Sequence, residues 1–513
     1  MRTIDESSSP HARVAAVSGT PTAPTPHPWY RRPALIPWAW AATLCLLYAT
    51  VAVRRHVLMR TTGYDLGIFE QAVRGYAHLG APVAPLRGEN FNLLGDHFHP
   101  LLAVLAPLYR VFPSPLTLLV AQSALLALAA VPLVRWAIRV VGPRAAHAVA
   151  AGYGLSWGIA SAAAFDFHEV ALAVPLLAWS LEALGRRRWR AAVGWAAPLL
   201  LVKEDLGLTL AAVGGYIALK NRKQAGEGEG ENRRGRRLGW ATLAVGLLGS
   251  ALEIKVLLPA LDITGGYAHA GQLAALGHAP LDLLRPDTKA TTLILVFAPS
   301  ALLALRSPLA LIALPTLGWR MASENGFHWG TAFHYSAILM PVVFAGLLDV
   351  LDRPAARSQV RGALATVLAV TAVLLPSFPL AQLAQRATWH TTPHLTAARE
   401  LLARIPDGAT VAASNRLAPQ LTARCTVVLF PTFPVDGRLY EYRRTDLPAP
   451  TAEWIVHDPE APEAWPYRRG HWPYPPEQQR AELARAQRAY GYQVVARRDG
   501  ITLLRRHHPA TAP

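Results

Sequence analysis

The stretch "PALIPWAWAATLCLLYATVAVRRHVLMRTTGYDLGIFEQ" (Pro33 to Gln71) decides the class of the fold. Residues 34–53 carry no charge, and a hydrocarbon core about 30 Å thick needs roughly 20 such residues in a helix rising 1.5 Å per residue. The chain then leaves this run through Arg54, Arg55 and Arg60 and places an acid at Asp65. Whether that acid serves structure or chemistry depends on the rest of the sequence.

The rest repeats the pattern. From 34 to 382, apolar stretches of roughly 13 to 24 residues alternate with brief polar loops, which reads as an all-α polytopic membrane bundle. Eleven spans are expected, at 34–53, 115–138, 145–163, 170–185, 190–202, 206–219, 238–258, 289–305, 308–320, 335–351 and 362–382. Composition agrees: 52% of the 513 residues are hydrophobic and 16% are charged. The net charge of +17, from 50 Lys and Arg against 33 Asp and Glu, gathers at helix ends. There it orients the chain and meets anionic lipid, so membrane lipids and not nucleic acid are the expected partners. Cys45 and Cys425 give no disulfide framework and no metal cluster.

Residues 1–33 are rich in Pro, Ser and Thr, lack apolar periodicity and read as a disordered segment. The first apolar run starts late and reaches full spanning length, so an uncleaved signal-anchor is expected, not a signal peptide. "RVVGPR" (139–144), "RRRWR" (186–190), the basic stretch 220–237 and "DRPAARSQVR" (352–361) fall on one side of the expected spans, with Arg31 and Arg32. Basic loops mark the cytoplasm. The N-terminus is therefore expected inside a cell membrane, and everything after 382 outside.

That tail, 383–513, is not membrane-like. "LTAARELLARIP" has helical spacing, "TVAAS", "TVVLF" and "EWIVH" read as strands, and "YQVVARRDGITLLRR" reads as a hairpin turned at Asp499-Gly500. A small extracytoplasmic α/β domain is expected, with the proline-rich 458–478 as a loop.

The expected outer loops hold the chemistry. In the first (54–98), Leu66, Phe69, Val73 and Ala77 recur at helical spacing, so 66–78 is expected as an amphipathic helix along the interface. Asp65 stands at its start, and Thr62-x-x-Asp65 fits a capping box. One reading is therefore a helix cap; the other is a carboxylate that takes a proton from an acceptor hydroxyl. "GDHFHP" (95–100) offers Asp96, His97 and His99 as ligands for a divalent metal, or simply opens the next helix. "FDFHE" (165–169) places Asp166, His168 and Glu169 between apolar helices, where ionisable groups need a partner or water. "VKEDLGL" (202–208) brings Lys203, Glu204 and Asp205, which also suit a helix start and a snorkelling lysine. "NGFHWGTAFHYSAI" (325–338) brings His328, His334 and Tyr335. Among these outer turns, P-loop, G-x-S-x-G and His-Glu-x-x-His motifs are absent.

"YDLGIFEQ", "GDHFHPLL", "FDFHEVALAVPLL", "KEDLGL" and "FHYSAILMP", in this order, resemble the DUF2079 family of bacterial membrane proteins over about residues 60–350. More distantly, the layout is similar to GT-C glycosyltransferases, polytopic enzymes that use lipid-phosphate sugars. That resemblance implies Asp65 as catalytic base, with Asp166 or Glu169 as the second-loop acid. It also implies a cation for the donor phosphate, either Lys203, Arg60 or a metal on the histidines. Glu70, Glu204, Asp205, His334 and Tyr335 complete the expected substrate contacts. The chain departs from many such enzymes by lacking an adjacent acidic pair; the nearest second acid is Glu70. The expected function is sugar transfer from a polyprenyl-phosphate donor on the outer face. The alternative is a non-enzymatic or transporter-like protein binding a polar cargo; transporters place charges near the midplane on broken repeats, whereas these acids cluster at helix ends.

Overall fold

A computed structural model describes residues 33–222, 229–262, 285–323, 325–431, 450–459 and 476–507. The N-terminal 1–32, part of the basic loop 220–237, and most of the proline-rich stretch 458–478 lie outside the described residues.

Helices dominate. Ile36–Val57 runs for 22 residues with Pro37 in its first turn and Arg54, Arg55 and His56 in its last, a polarity that suits the helix dipole. Four helices among the described residues are long and apolar enough to cross a membrane: Ile36–Val57, Pro115–Val141, Gly230–Leu261 and Pro354–Ser377. Val170–Gly185, Leu206–Lys220 and Leu339–Leu351 are apolar but shorter. Others of the expected eleven are interrupted. The run 190–202 becomes Trp189–Ala196 followed by a tighter turn Ala197–Leu201, and 289–305 stops at Phe297 before Ala298–Ser300. Pro198 and Pro299 lie in these tighter turns, where proline removes a ladder N–H and clashes with the preceding turn. Apolar length was legible; helix continuity was not.

Leu206–Lys220 and Glu229–Leu252 pack against each other through glycines. A methyl group on Gly214 would stand 2.4 Å from Leu243 N, and one on Gly246 would stand 2.4 Å from the Gly207 carbonyl oxygen. Small residues let the two backbones approach to contact.

The C-terminal part holds a five-stranded sheet of order β2-β1-β3-β5-β4. Its strands are β1 (Thr410–Ala413), β2 (Thr426–Leu429), β3 (Trp454–His457), β4 (Tyr492–Arg498) and β5 (Ile501–Arg506). β1 runs parallel to β2 and β3, while β3–β5 and β4–β5 are antiparallel. The hairpin turns at Asp499 (φ 46°) and Gly500 (φ 81°), as the Asp-Gly pair requires. The helix Pro393–Leu402 is capped by Thr392, whose hydroxyl accepts the Leu395 N–H.

This sheet is not a separate body resting on the bundle. Leu66, Phe69 and Val73 of the first loop share one buried core with Val411, Leu421 and Val427. The helix Ile68–Ala77, expected to keep a polar face free, is buried on that face too, at Glu70 and Gln71.

Candidate functional site

The acid-bearing turn is built first by its backbone. Gly63–Gly67 is a single π-helical turn leading into Ile68–Ala77, and such turns concentrate at functional positions. Three residues ahead of Asp65, Thr62 donates both its N–H (2.8 Å) and its hydroxyl (2.6 Å) to Asp166 Oδ2. The Thr62-x-x-Asp65 capping box is not formed: the Thr62 side chain accepts no helix N–H, and the Thr62 N–H goes to an acid 104 residues away. From the C-terminal domain, Asn415 accepts Gly63 N–H through its carbonyl (2.7 Å) and Tyr64 N–H through Oδ1 (3.0 Å). Gly63 must be glycine: a methyl group would stand 2.7 Å from Ala418 Cβ.

Asp65 itself is half-buried, and among the described residues its carboxylate makes no hydrogen bond or ion pair. Burial, with the charges of Asp166 and Glu169, pushes its pKa well above the usual carboxylate value; Arg87 and Lys203 act in the opposite direction. The three acids thus share one electrostatic environment. Asp166 is raised to about 6 by burial, against the Thr62 hydrogen bonds.

The remaining expected contacts are mostly engaged within the protein. Glu70 is fully buried, accepting from Tyr109 Oη (2.9 Å) and from the Thr422 hydroxyl. Burial raises it to about 7, with both hydroxyls opposing. It ties the first loop to the C-terminal domain, as do Gln71 to the Val427 carbonyl and Arg74 to the Thr422 and Cys425 carbonyls. Lys203 Nζ lies 3.0 Å from Glu169 Oε1, and His168 Nδ1 lies 2.5 Å from Glu169 Oε2. Burial works against the Glu169 charge, but His168 and Lys203 hold it well below the ordinary range. Glu204 takes His97 Nδ1 at 2.8 Å and the Phe98 N–H at 3.1 Å. Burial opposes its ionisation, yet His97 and Lys203 keep it at about 2. Asp205 starts the helix Leu206–Lys220, where an acid suits the dipole, and burial raises it to about 6. His334 stacks on His168 with ring centroids 3.4 Å apart, and Tyr335 packs beside His334 at 4.2 Å.

The expected metal set does not assemble. Asp96 pairs with Arg87 at 2.9 Å, His97 with Glu204, and His99 is fully buried against Phe69. Among the described residues, no group of three His, Cys, Asp or Glu is arranged to hold an ion. The donors point to different partners because each found a counter-charge or a ring on a separate element.

Sequence reasoning passed over Arg87, Asn415 and Arg320, and read Thr62 only as a cap for the Asp65 helix. Arg320 is fully buried and holds the fourth polar turn by donating to the His328 and Gly330 carbonyls and to Ser336 Oγ. Arg87, nine residues ahead of Asp96 in the first loop, was findable; Asn415 carried no local signal.

Beside Asp166 lies a cavity of about 330 Å³ whose wall includes Arg55, Arg60, Thr62, Phe165, Phe333 and Gln382. Asp65 is not on that wall; it sits on the turn that Thr62 opens.

The fold and the known proteins agree. ArnT from Cupriavidus metallidurans, solved bound to undecaprenyl phosphate, superposes with a TM-score of 0.54 at 14% identity. The match covers 91% of this chain and 97% of that one, and at this identity it establishes likeness of fold alone. No curated protein matches the sequence. The family model described as "Predicted membrane protein (DUF2079)" matches residues 55–503, and the chain belongs to that family.

Proposed function

We propose that the chain is a membrane glycosyltransferase of the GT-C kind, moving a sugar from a polyprenyl-phosphate donor to an acceptor hydroxyl on the outer face of the membrane. One observation carries this reading. Among the buried and half-buried acids of the polar turns, only Asp65 and Asp205 lack a hydrogen bond or ion pair within the described residues, and Asp205 opens a helix. Asp65 stays uncommitted although the turn bearing it is clamped by Asp166 and Asn415. A base needs a free carboxylate on a rigid support and a pKa drawn toward the working pH.

In this mechanism Asp65 takes the proton of the acceptor hydroxyl. The oxygen attacks the anomeric carbon, the bond from that carbon to the phosphate oxygen breaks, and its electron pair leaves with the lipid phosphate, inverting the centre. The likeness to ArnT, whose structure holds undecaprenyl phosphate, supports a lipid of that class. We place the N-terminus in the cytoplasm, the eleven-span domain at 34–382 and the α/β domain at 383–513 outside. Cysteines at 226 and in the tail, labelled on intact cells, test that placement; labelling at 226 alone reverses it.

The catalytic test is Asp65→Asn. Asn keeps the shape but not the proton acceptor, and loss of a general base costs about 10²- to 10⁴-fold in rate. Transfer from membrane lipid extracts should fall by that order at normal abundance; wild-type transfer would return Asp65 to a structural role.

A further inference from the structure

The C-terminal sheet has two faces, and the first loop covers one of them. Trp454 and Val456 of β3 join Leu66 and Phe69 in the core that ties the sheet to the membrane domain. Ile455 joins a second, smaller core with Ala412, Phe430 and Ala486, the last from the helix Pro476–Tyr490. Side chains alternate along a strand, so His457 falls on this second face. Its ring meets that of Phe430 with centroids 5.3 Å apart.

His457 is fully buried there with one hydrogen bond missing. Its Nδ1 lies 2.9 Å from the Ser414 hydroxyl, while its buried Nε2 has no partner among the described residues. The Ser414 hydroxyl accepts the Asp458 N–H at 2.9 Å. Among the described residues, the proton of that hydroxyl has Nδ1 as its acceptor and no other, so Nδ1 accepts. Burial, with the Arg480 charge, lowers the pKa of His457 to about 4. The ring is therefore neutral near pH 7, and its single proton sits on Nε2. A buried N–H without an acceptor is rare in folded proteins unless water or a ligand completes it.

The place of this donor in the sheet favours a ligand. β1 pairs in parallel with β2 on one side and β3 on the other, so the strand order reverses between β1 and β3. Ser414 directly follows β1, and His457 is the last residue of β3. Open α/β sheets bind ligands outside the carboxyl ends of the two strands at such a reversal. Charge narrows the ligand class. Arg480, in the helix Pro476–Tyr490, is the charged side chain that bears on His457. The nearest acid in sequence, Asp458, is held by His394 at 2.8 Å, on a helix that packs into the first-loop core. An N–H donor beside a guanidinium suits an anionic acceptor. We propose that this crevice binds the oxyanion of a small soluble molecule, a phosphate or a carboxylate, between His457 Nε2–H and Arg480. It lies on the opposite face of the sheet from the first loop, so the inference stands apart from the sugar-transfer reading.

The test uses the full chain purified in detergent with nitrogen-15-labelled histidine, titrated with inorganic phosphate or acetate in chloride of matched ionic strength. Calorimetry reads affinity, and the histidine N–H spectrum reads the ring. At least one of the two anions should bind and shift the N–H signal that is missing from His457→Phe. Arg480→Ala should weaken this binding about 10-fold, the order of a lost charge-assisted hydrogen bond, and Arg480→Lys should keep most of it. Arg480 is exposed, so its variants should fold, which elution and circular dichroism check. If His457→Phe does not fold, the Arg480 series carries the test by calorimetry. Tighter binding of phosphate assigns a phosphate ligand, and tighter binding of acetate a carboxylate. Binding of neither anion, or equal binding by wild type and Arg480→Ala, overturns the site. Chloride displacing the bound anion at equal concentration overturns the choice of an oxyanion.

Discussion

Asn415 Oδ1 accepts the backbone N–H of Tyr64 at 3.0 Å, joining the end of β1 to the residue before Asp65. β1 stands where the parallel part of the sheet branches, with β2 on one side and β3 on the other. In open α/β sheets the loops at such a branch leave a crevice that commonly holds a ligand. Here that edge holds the first loop of the membrane domain, so the geometry of the Asp65 turn depends on both parts of the chain.

Asn415→Ala should leave Tyr64 N–H without its acceptor, at a cost of about 1–3 kcal/mol, while Asn415→Asp keeps the acceptor. Thermal unfolding in detergent should rank wild type and Asn415→Asp above Asn415→Ala. An alanine variant as stable as wild type would remove Asn415 from the clamp.

Gly63→Ala should destabilise by about 1–3 kcal/mol, because its methyl group overpacks against Ala418 Cβ. Ala418→Gly removes the opposing atom, so the double variant should recover most of the loss. Additive losses in the double-mutant cycle would show that the contact is not the cause.

Lys203→Met alone should cost about 3–5 kcal/mol, since it leaves Glu169 buried without its lysine. Lys203→Met with Glu169→Gln should be less damaging than the lysine change by itself. Equal damage in denaturant unfolding would mean that the pair is not coupled.

In the C-terminal domain His394 lies between Asp458 (2.8 Å) and Asp499 (2.9 Å). Burial opposes its protonation, but the hydrogen bonds and charges of the two acids outweigh it and raise its pKa above 6.5. A raised histidine binds its proton more tightly when folded, so its stabilisation is complete below the unfolded value and lost as pH rises through the folded one. The difference in unfolding midpoint between wild type and His394→Gln should therefore shrink on raising the pH from 6 toward 9. A constant difference would assign the effect to packing.

Much of the molecule was legible in residue order. Apolar runs identified the membrane class, strand-like runs at 410–414, 426–430 and 453–457 marked three strands, and Asp499-Gly500 marked the hairpin. Each of these signals is local, set by side-chain period or by one dihedral preference. The polar turns could likewise be read as places where ionisable groups must be satisfied. Which group satisfies which was decided only by the tertiary structure. Thr62 could complete a capping box with Asp65 or serve Asp166, and it serves Asp166. Lys203 was as plausible for a ligand as for a carboxylate, and it faces Glu169. Glu70 joins Thr422, 352 residues on, and no spacing along the chain encodes that meeting. Buried charges choose partners by distance in space because the low-dielectric interior punishes any left unpaired, and distance in space exists only once the chain has folded.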